Sequence, residues 1–247
     1  MNQDSTMNQD DAVNQDDAAN RHLEWDGCHN VRDLGGLPLG DSGTTRWGAV
    51  LRSDTPDRLT EKGWQAAREY GVRTIVDLRT PGEHRVGTGH RPSWLTVVSA
   101  PLHDPTDVRP PGYVTPLTYG PFLERRPERC AAVIAAIARA EPGGVLIHCV
   151  AGRDRTGIVS MLLLALAGVP AADVVADYEL SGPRLKPLFE KLGEADEAPA
   201  IAETLARQGT TVRQTVTGLL DGLDVAEYLR SGGLEEADLK AARARLR

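Results

Sequence analysis

The residues best suited to chemistry lie in one ten-residue stretch, His148-Cys149-Val150-Ala151-Gly152-Arg153-Asp154-Arg155-Thr156-Gly157. A cysteine is a nucleophile in its thiolate form, and Arg155, six residues further on, can hold two phosphate oxygens in a bidentate fork. Backbone N–H groups between them can converge on one tetrahedral oxyanion, and a helix that starts there directs its positive end into the same space. The stretch therefore predicts a phosphate-binding loop, residues 150–155, with Cys149 as its nucleophile.

Two neighbours of this loop have supporting roles in the same interpretation. We expect His148 to order the loop by hydrogen bonding to its backbone, and Thr156 to bring a hydroxyl near the sulfur of Cys149. The alternative is that Cys149 is only a small buried residue, as free cysteines usually are. That alternative leaves the glycine, the arginine and the helix start without a purpose.

Apolar runs on both sides of the loop predict the elements that position it. Gly144 to Ile147 reads as a buried strand, and Ile158 to Val169 as a buried helix. Further strands are predicted at 49–51, 72–78 and 95–100, with a helix from Thr60 to Tyr70 and another from Pro127. Residues 102–119 read as a proline-rich loop, Ser181-Gly182-Pro183 as a break, and the chain beyond Val169 as helical.

This alternation of strands and helices predicts an α/β fold, a mostly parallel central sheet with helices on both faces. Sites in such folds lie at the carboxyl ends of the strands, where Asp77, Arg79 and Cys149 all fall. Cys130 shares a helical apolar stripe with Val133, so a structural role in the core is predicted for it.

The signature around Cys149 resembles that of the cysteine-based protein tyrosine phosphatases, and its fuller form, HCxAG(K/R)DRTG, resembles their bacterial PtpB-like, lipid-and-tyrosine branch. Four other elements are similar to that branch: NVRDLGG at 30–36, RSD at 52–54, DLR…E at 77–83 and DYELS at 177–181. The resemblance spans roughly residues 25 to 247.

The resemblance implies a phosphatase-like fold and hydrolysis of phosphotyrosine through a phosphocysteine, with phosphoserine, phosphothreonine and phosphoinositides as further expected substrates. It assigns the role of general acid to Asp154, which makes Cys149, Asp154 and Arg155 the predicted catalytic residues. Asp104 and Asp107 are the rival acids, on an upstream loop that has no WPD-type tripeptide. Asp77 is expected to be structural, holding Arg79 or the loop.

Two features leave alternatives open. Arg153 stands where many PtpB-like members have lysine, and it is either a cation facing acidic headgroups or a solvated surface arginine. In that branch an insertion forms a helical lid over the site, and residues 183–220 of this chain either do the same or pack as an ordinary helical bundle.

Composition limits the remaining possibilities. Residues 1–20 contain five aspartates, no Lys or Arg and a repeated Asn-Gln-Asp triplet, and they carry most of the formal net charge of −7. We expect a disordered acidic tail there, with partner binding as the less favoured alternative, and a catalytic domain over residues 21–247. The lack of a basic excess argues against nucleic-acid binding.

The cysteines and histidines predict no disulfide framework, no metal site and no cofactor. No apolar run could span a membrane and no signal peptide is evident, so a cytoplasmic protein is expected. Nothing in the sequence indicates an oligomeric state.

Other function classes stay open at this point. A rhodanese-like or arsenate-reductase-like thiol enzyme could use a similar loop, although the second needs resolving cysteines and none follows Cys149 closely. A non-catalytic phosphate-binding module is the third class.

Overall fold

A computed structural model of the chain describes residues 21–40, 42–83, 91–104 and 116–247. The predicted acidic tail and Asp107 lie outside these described residues, and the expectations about them stay predictions. Among the described residues, no helix is long and apolar enough to cross a membrane.

Five strands within the described ranges form one sheet, in the order β1-β2-β5-β3-β4. The strands are β1 Arg32–Asp33, β2 Val50–Ser53, β3 Val72–Asp77, β4 Thr96–Ser99 and β5 Gly144–His148. Only β1 is antiparallel to its neighbour, and β2, β5, β3 and β4 run parallel. The predicted mostly parallel sheet is confirmed.

The register brings three strand ends together at one place. His148, the last residue of β5, is paired with Ser53 at the end of β2 on one side and with Asp77 at the end of β3 on the other. The carboxyl ends of these parallel strands therefore meet where the chain continues into Cys149, which is the position that favours a site in an α/β sheet.

Helices cover both faces of the sheet, as predicted. The described helices are α1 Glu61–Glu69, α2 Tyr119–Arg125, α3 Pro127–Ala138, α4 Asp154–Ala167, α5 Ala171–Glu179, α6 Ser181–Leu192, α7 Ala198–Arg207, α8 Val212–Asp221, α9 Val225–Ser231 and α10 Glu236–Leu246. On one face Trp64 of α1 packs with Trp25 over Ile75 and Leu146. The other face is covered mainly by α3, α4, α9 and α10.

Local sequence signals explain several helix starts. The Thr60 hydroxyl accepts a hydrogen bond from the Gly63 amide at 3.2 Å and so caps α1, while Asp224 accepts from the Glu227 amide at 3.0 Å and caps α9. Such caps satisfy N–H groups that have no partner within the helix. The helix starts predicted at these positions are confirmed.

Two boundaries differ from the prediction, and proline is the reason in both. The predicted loop at 102–119 gives way to α2 at Tyr119, and the predicted break at Ser181 is the first turn of α6. Pro183 favours a break in the sequence, but it lies in the first turn of α6, and Pro121, just beyond the predicted loop, has the same place in α2. Proline is tolerated there because the N–H that it lacks would have no helical partner.

Candidate active site

The loop that follows β5 curls around the sulfur of Cys149. The Gly152 amide lies 3.2 Å from the Cys149 Sγ. Gly152 has a φ of +70°, and a Cβ there would lie 2.3 Å from the carbonyl oxygen of Ser53. Only glycine fits this combination of backbone conformation and close packing, so Gly152 is what allows the loop to close over the strand end.

The carbonyl groups of the loop accept hydrogen bonds from neighbouring segments of the chain. The Thr55 amide donates to the Val150 carbonyl at 2.9 Å, and the Asn30 side-chain amide to that of Ala151 at 3.0 Å. Arg52 donates to the carbonyl of Gly152 at 2.8 Å. Because a trans peptide directs its C=O and N–H to opposite sides, the amides that follow these carbonyls face the sulfur's side of the loop. They are positioned to bind an oxyanion there.

Arg52 is held in turn by a buried cluster around Asp177, which we call the Asp177 hub. The Asp177 carboxylate is 2.8 Å from Arg21, 3.0 Å from Arg32 and 2.7 Å from Arg52, and all four side chains are at most 4% exposed. Burial would raise the pKa of Asp177, but the three guanidinium groups lower it far below its ordinary value. Asp177 therefore stays ionised, and the hub keeps an excess of positive charge behind the loop.

The hub was missed as a site feature by reasoning from the sequence. Arg32, Arg52 and Asp177 come from three elements similar to the PtpB-like branch, NVRDLGG, RSD and DYELS, and Arg21 lies ahead of them in the chain. Repeated charged residues in these elements were the available signal. Ser181, the last residue of the third element, accepts a hydrogen bond from Arg32 at 3.0 Å.

His148 orders the loop in the way predicted from the sequence. Its Nδ1 is 2.9 Å from the Cys149 carbonyl and donates to it. Complete burial lowers the pKa of His148 to about 4, so the ring is neutral at neutral pH. The 3.5 Å approach of its Nε2 to Asp77 is therefore not an ion pair under those conditions.

Asp77 is engaged by two arginines. Its carboxylate accepts from Arg79 at 3.0 and 2.8 Å and from Arg91 at 3.1 Å. Burial would raise the pKa of Asp77, but the hydrogen bonds from Arg79 and nearby positive charge lower it to about 2. These contacts agree with the structural role expected for Asp77.

Arg155 lies in the first turn of α4 and forms a two-pronged ion pair with Glu83. Its two terminal nitrogens are 2.6 and 2.7 Å from the Glu83 oxygens. Burial would raise the pKa of Glu83, but the Arg155 hydrogen bonds lower it to about 2. Glu83 thus fixes the plane of the guanidinium. Of the five N–H groups of arginine, this pair uses one on each terminal nitrogen, and the Nε–H and the second N–H of Nη2 remain as a parallel pair for oxyanion oxygens.

Asp154 is the first residue of α4, and its side chain is partly exposed, at 27%. Its Oδ1 accepts a hydrogen bond of 2.7 Å from the hydroxyl of Tyr119. One face of the carboxyl group is thus fixed by a buried residue from α2, while the group stays accessible beside the loop.

Arg153 is buried and paired, so the interpretation as a solvated surface arginine is wrong. It is 7% exposed, its Nε lies 3.3 Å from Asp154, and its Nη2 lies 2.7 Å from Glu197. Burial would lower the pKa of Arg153, but Asp154 and Glu197 raise it, and the side chain stays charged. A fixed cation therefore lies beside the loop.

The structure describes one of the two rival acids. Asp104 forms a half-exposed ion pair with Arg129 at 2.9 Å, and Asp107 lies outside the described residues. The Thr156 hydroxyl is buried and has no hydrogen-bond partner among the described residues. The expected approach of this hydroxyl to the sulfur of Cys149 stays a prediction.

Residues 183–220 meet the loop at two points and the helical bundle at others. Leu185, Leu188 and Phe189 of α6 form a small apolar cluster against Ala151 of the loop. Glu197, just before α7, contacts Arg153. Val216 of α8 is buried in the main core. This segment thus covers one side of the loop while part of it packs as a bundle.

The other two cysteines are placed differently from Cys149. Cys130 is fully buried in the core, as predicted, and burial raises the pKa of its thiol to about 12. Cys28 donates to the carbonyl of Thr55, and burial raises its pKa as well. Among the described residues, no group of three or more His, Cys, Asp or Glu side chains could hold a metal ion.

Comparison with known proteins agrees with this geometry. Residues 23–247 match the model of the tyrosine phosphatase family. The chain belongs to that family. A Cupriavidus necator protein whose name assigns it to the tyrosine-protein phosphatases is 32% identical over 181 residues, 66% of this chain and 64% of that protein. A tyrosine-protein phosphatase of Nostoc commune is 32% identical over 143 residues, 54% of this chain and 48% of that protein. The chain thus spans less than two thirds of the length of either relative.

Two further matches concern more distant proteins. The triple specificity protein phosphatase PtpB of Mycobacterium tuberculosis is 26% identical over 280 aligned residues, covering 89% of this chain and 97% of PtpB. The crystal structure of Pseudomonas aeruginosa TpbA in complex with phosphotyrosine matches with a TM-score of 0.36 and 17% identity, covering 75% of this chain and 86% of TpbA.

Proposed function

We propose that residues 21–247 form the catalytic domain of a cysteine-dependent phosphate monoester hydrolase that acts on phosphotyrosine. The observation that carries this proposal is the arrangement of the loop. Its carbonyls accept hydrogen bonds from neighbouring segments, the Gly152 amide faces the Cys149 sulfur, and Glu83 orients the guanidinium group of Arg155 in the first turn of α4. This arrangement suits a nucleophile held against a tetrahedral dianion.

In the first step, the Cys149 thiolate attacks the phosphorus atom. A sulfur–phosphorus bond forms and the bond from phosphorus to the phenolic oxygen breaks. The loop amides and the two parallel N–H groups that Arg155 has left bind the equatorial oxygens, whose charge must be stabilised throughout. The leaving oxygen takes a proton from Asp154, so that tyrosine leaves as the neutral phenol.

In the second step, water attacks the phosphocysteine. The Asp154 carboxylate takes a proton from this water, the phosphorus–oxygen bond forms and the sulfur–phosphorus bond breaks. Inorganic phosphate leaves and Cys149 returns to the thiolate form. One carboxyl group can serve both steps because it donates a proton in the first and recovers one in the second.

The substrate range is proposed to include phosphoserine, phosphothreonine and phosphoinositides. Arg153 supports this extension, because it places a fixed positive charge beside the loop, and such a charge attracts an acidic headgroup. The Mycobacterium tuberculosis relative is named a triple specificity protein phosphatase, which supports a substrate range wider than phosphotyrosine. The unpaired state of all three cysteines agrees with a reducing compartment such as the cytoplasm, which we also propose.

Release of inorganic phosphate from phosphotyrosine peptides tests the proposal. The purified protein should hydrolyse them in the presence of EDTA and lose activity with vanadate or a thiol-alkylating reagent. Cys149→Ser should abolish turnover yet retain phosphate binding, because the amides and Arg155 remain. Cys130→Ser is the matched control and should keep its activity. Full activity of Cys149→Ser contradicts the cysteine mechanism, and so does a loss of wild-type activity in EDTA.

Asp154→Asn tests the acid. The change keeps the shape and an acceptor oxygen but removes the titrating group, so hydrolysis of phosphotyrosine should slow by about 10²–10⁴. An activated aryl phosphate leaves without protonation and should lose much less in its first step. Asp104→Asn is the control. If Asp104→Asn flattens the basic limb of the pH profile and Asp154→Asn does not, the acid comes from the upstream loop.

A further inference from the structure

Two buried tyrosines form a chain of hydrogen bonds that ends on Asp154. The Tyr119 hydroxyl lies 2.7 Å from the Asp154 Oδ1 and 2.8 Å from the Tyr178 hydroxyl. Tyr119 begins α2 and is fully buried, while Tyr178 belongs to α5 and is 5% exposed. Their rings meet edge to face, with centroids 6.0 Å apart. Two separate helices thus fix the geometry of this contact.

The direction of the chain follows from the chemistry of its groups. A carboxylate only accepts, so the single hydroxyl proton of Tyr119 points to Asp154, and Tyr119 accepts from Tyr178. Burial, reinforced by the charge of Asp154, raises the pKa of both tyrosines. Both hydroxyls therefore stay protonated at neutral pH, and the chain keeps its direction.

The groups facing Asp154 treat its two oxygens differently. From its own element, Arg153 Nε lies 3.3 Å from Oδ1 and 3.4 Å from Oδ2, both long contacts, and Arg155 contributes charge. From α2 and α5 come Tyr119 and Tyr178, and among the described residues the one short hydrogen bond to this carboxyl group is that from Tyr119 to Oδ1. Oδ1 is therefore fixed, and Oδ2 is the oxygen left to carry a mobile proton.

We propose that Tyr119 is the positioning residue of the general acid: it fixes Oδ1 of Asp154 so that Oδ2 delivers the proton to the leaving group, with Tyr178 as the second link. This inference rests on the proposed function, in which Asp154 is the acid. The same hydrogen bond favours the carboxylate that proton transfer produces, since a donor stabilises the charged form. Losing the hydrogen bond should make proton delivery slower and deprotonation of the acid harder.

A purely structural role makes a different prediction. Buried hydroxyl groups need partners, and Tyr119 could simply find one in Asp154. In that case its removal would lower stability without changing how the rate depends on pH or on the leaving group. The pH profile and the leaving-group dependence therefore separate positioning from packing.

The test is Tyr119→Phe in the full-length protein, which removes only the hydroxyl. With phosphotyrosine, kcat should fall roughly tenfold to a hundredfold, the range for a lost hydrogen bond to a charged group. The basic limb of the pH–rate profile should move to higher pH by about one unit. An activated aryl phosphate should lose much less in its first step, and KM should change little. Tyr178→Phe should show the same pattern more weakly.

Tyr228→Phe is the matched control. Its hydroxyl donates to the carbonyl of Leu123 at 3.1 Å, so it also ties down α2 but does not touch Asp154. This variant should keep the wild-type pH profile, and thermal unfolding checks that all three variants are folded.

The outcomes separate this inference from the proposed function. Suppose that Asp154→Asn flattens the basic limb, while a folded Tyr119→Phe variant leaves both the basic limb and the leaving-group dependence unchanged. Then Tyr119 does not position the acid, but the assignment of Asp154 as the acid is supported. If Tyr228→Phe moves the limb as far as Tyr119→Phe, loosening of α2 is the cause and the inference is wrong. If Asp154→Asn keeps the wild-type profile, the assignment of the acid fails and this inference fails with it.

Discussion

Replacing Glu83 by glutamine should separate the two tasks of Arg155, binding phosphate and orienting it. Glu83 is 28% exposed and Arg155 6%, and they pair through two short hydrogen bonds. Charges about 4 Å apart at an effective dielectric constant of about 20 attract by about 4 kcal/mol, part of which offsets their loss of water. A net contribution of about 1–3 kcal/mol remains for a hydrogen bond between charged groups.

The loss of this pair should act on kcat and on phosphate affinity in opposite directions. Glu83→Gln lets the guanidinium rotate, so kcat should fall about tenfold to a hundredfold, by the energy above. The variant also removes a negative charge that lies beside Arg155 and repels a bound phosphate, so inorganic phosphate should inhibit about threefold to tenfold more strongly. The pKa of Glu83, about 2, keeps the wild-type carboxylate ionised throughout the assay range.

Steady-state kinetics with phosphate as a competitive inhibitor measure both effects. Glu236→Gln is the control, because Glu236 pairs with Arg230 at 3.1 Å on the exposed surface of α10, where such pairs contribute little. It should change neither constant. An unchanged kcat in folded Glu83→Gln refutes the orienting role, and weaker phosphate inhibition refutes the charge argument.

Two further predictions concern charge. Glu197→Gln frees Arg153 from a partner that is 61% exposed. The ratio of activity on a phosphoinositide to activity on a small aryl phosphate should therefore rise about twofold to fivefold. Equal changes on both substrates contradict the idea that Glu197 competes with a second phosphate. Burial lowers the pKa of His22 and of His148 to about 4, below the value of 6.5 in the unfolded chain. The contribution of these neutral rings to stability is therefore complete above pH 6.5 and is lost as the pH falls toward 4. Each should add up to about 1.4 kcal/mol per pH unit to the slope of the unfolding free energy in that window, which denaturant titrations measure; a slope that His148→Asn leaves unchanged contradicts the assignment.

The strands and the reactive loop were predictable because their signals are local. A four-residue apolar run before Cys149 and a long one after it predict strand β5 and helix α4, and both form. The caps at Thr60 and Asp224 act within four residues of sequence. Helices α2 and α6 were less predictable, because Pro121 and Pro183 interrupt a pattern without interrupting the helix.

The site was predictable only where one segment supplies its residues. Cys149, Asp154 and Arg155 stand in a single motif, whereas their partners Glu83 and Tyr119 come from other segments. Glu83 was visible as part of a similar DLR…E pattern, but its bond to Arg155 depends on how β3 lies beside β5. Tyr119 had no signal at all, because residues before it read as a loop.

Helix α5 connects the two sides of the loop through consecutive residues. Asp177 binds the arginines behind the loop, and Tyr178 reaches Asp154 through Tyr119 in front of it. This reach requires α5 to lie close to α4, and Gly157 permits it: a Cβ there would lie 2.9 Å from the ring of Tyr178. The charge that supports the loop and the chain that fixes the proposed acid are thus set by one helix, so a shift of α5 changes anion binding and proton transfer together.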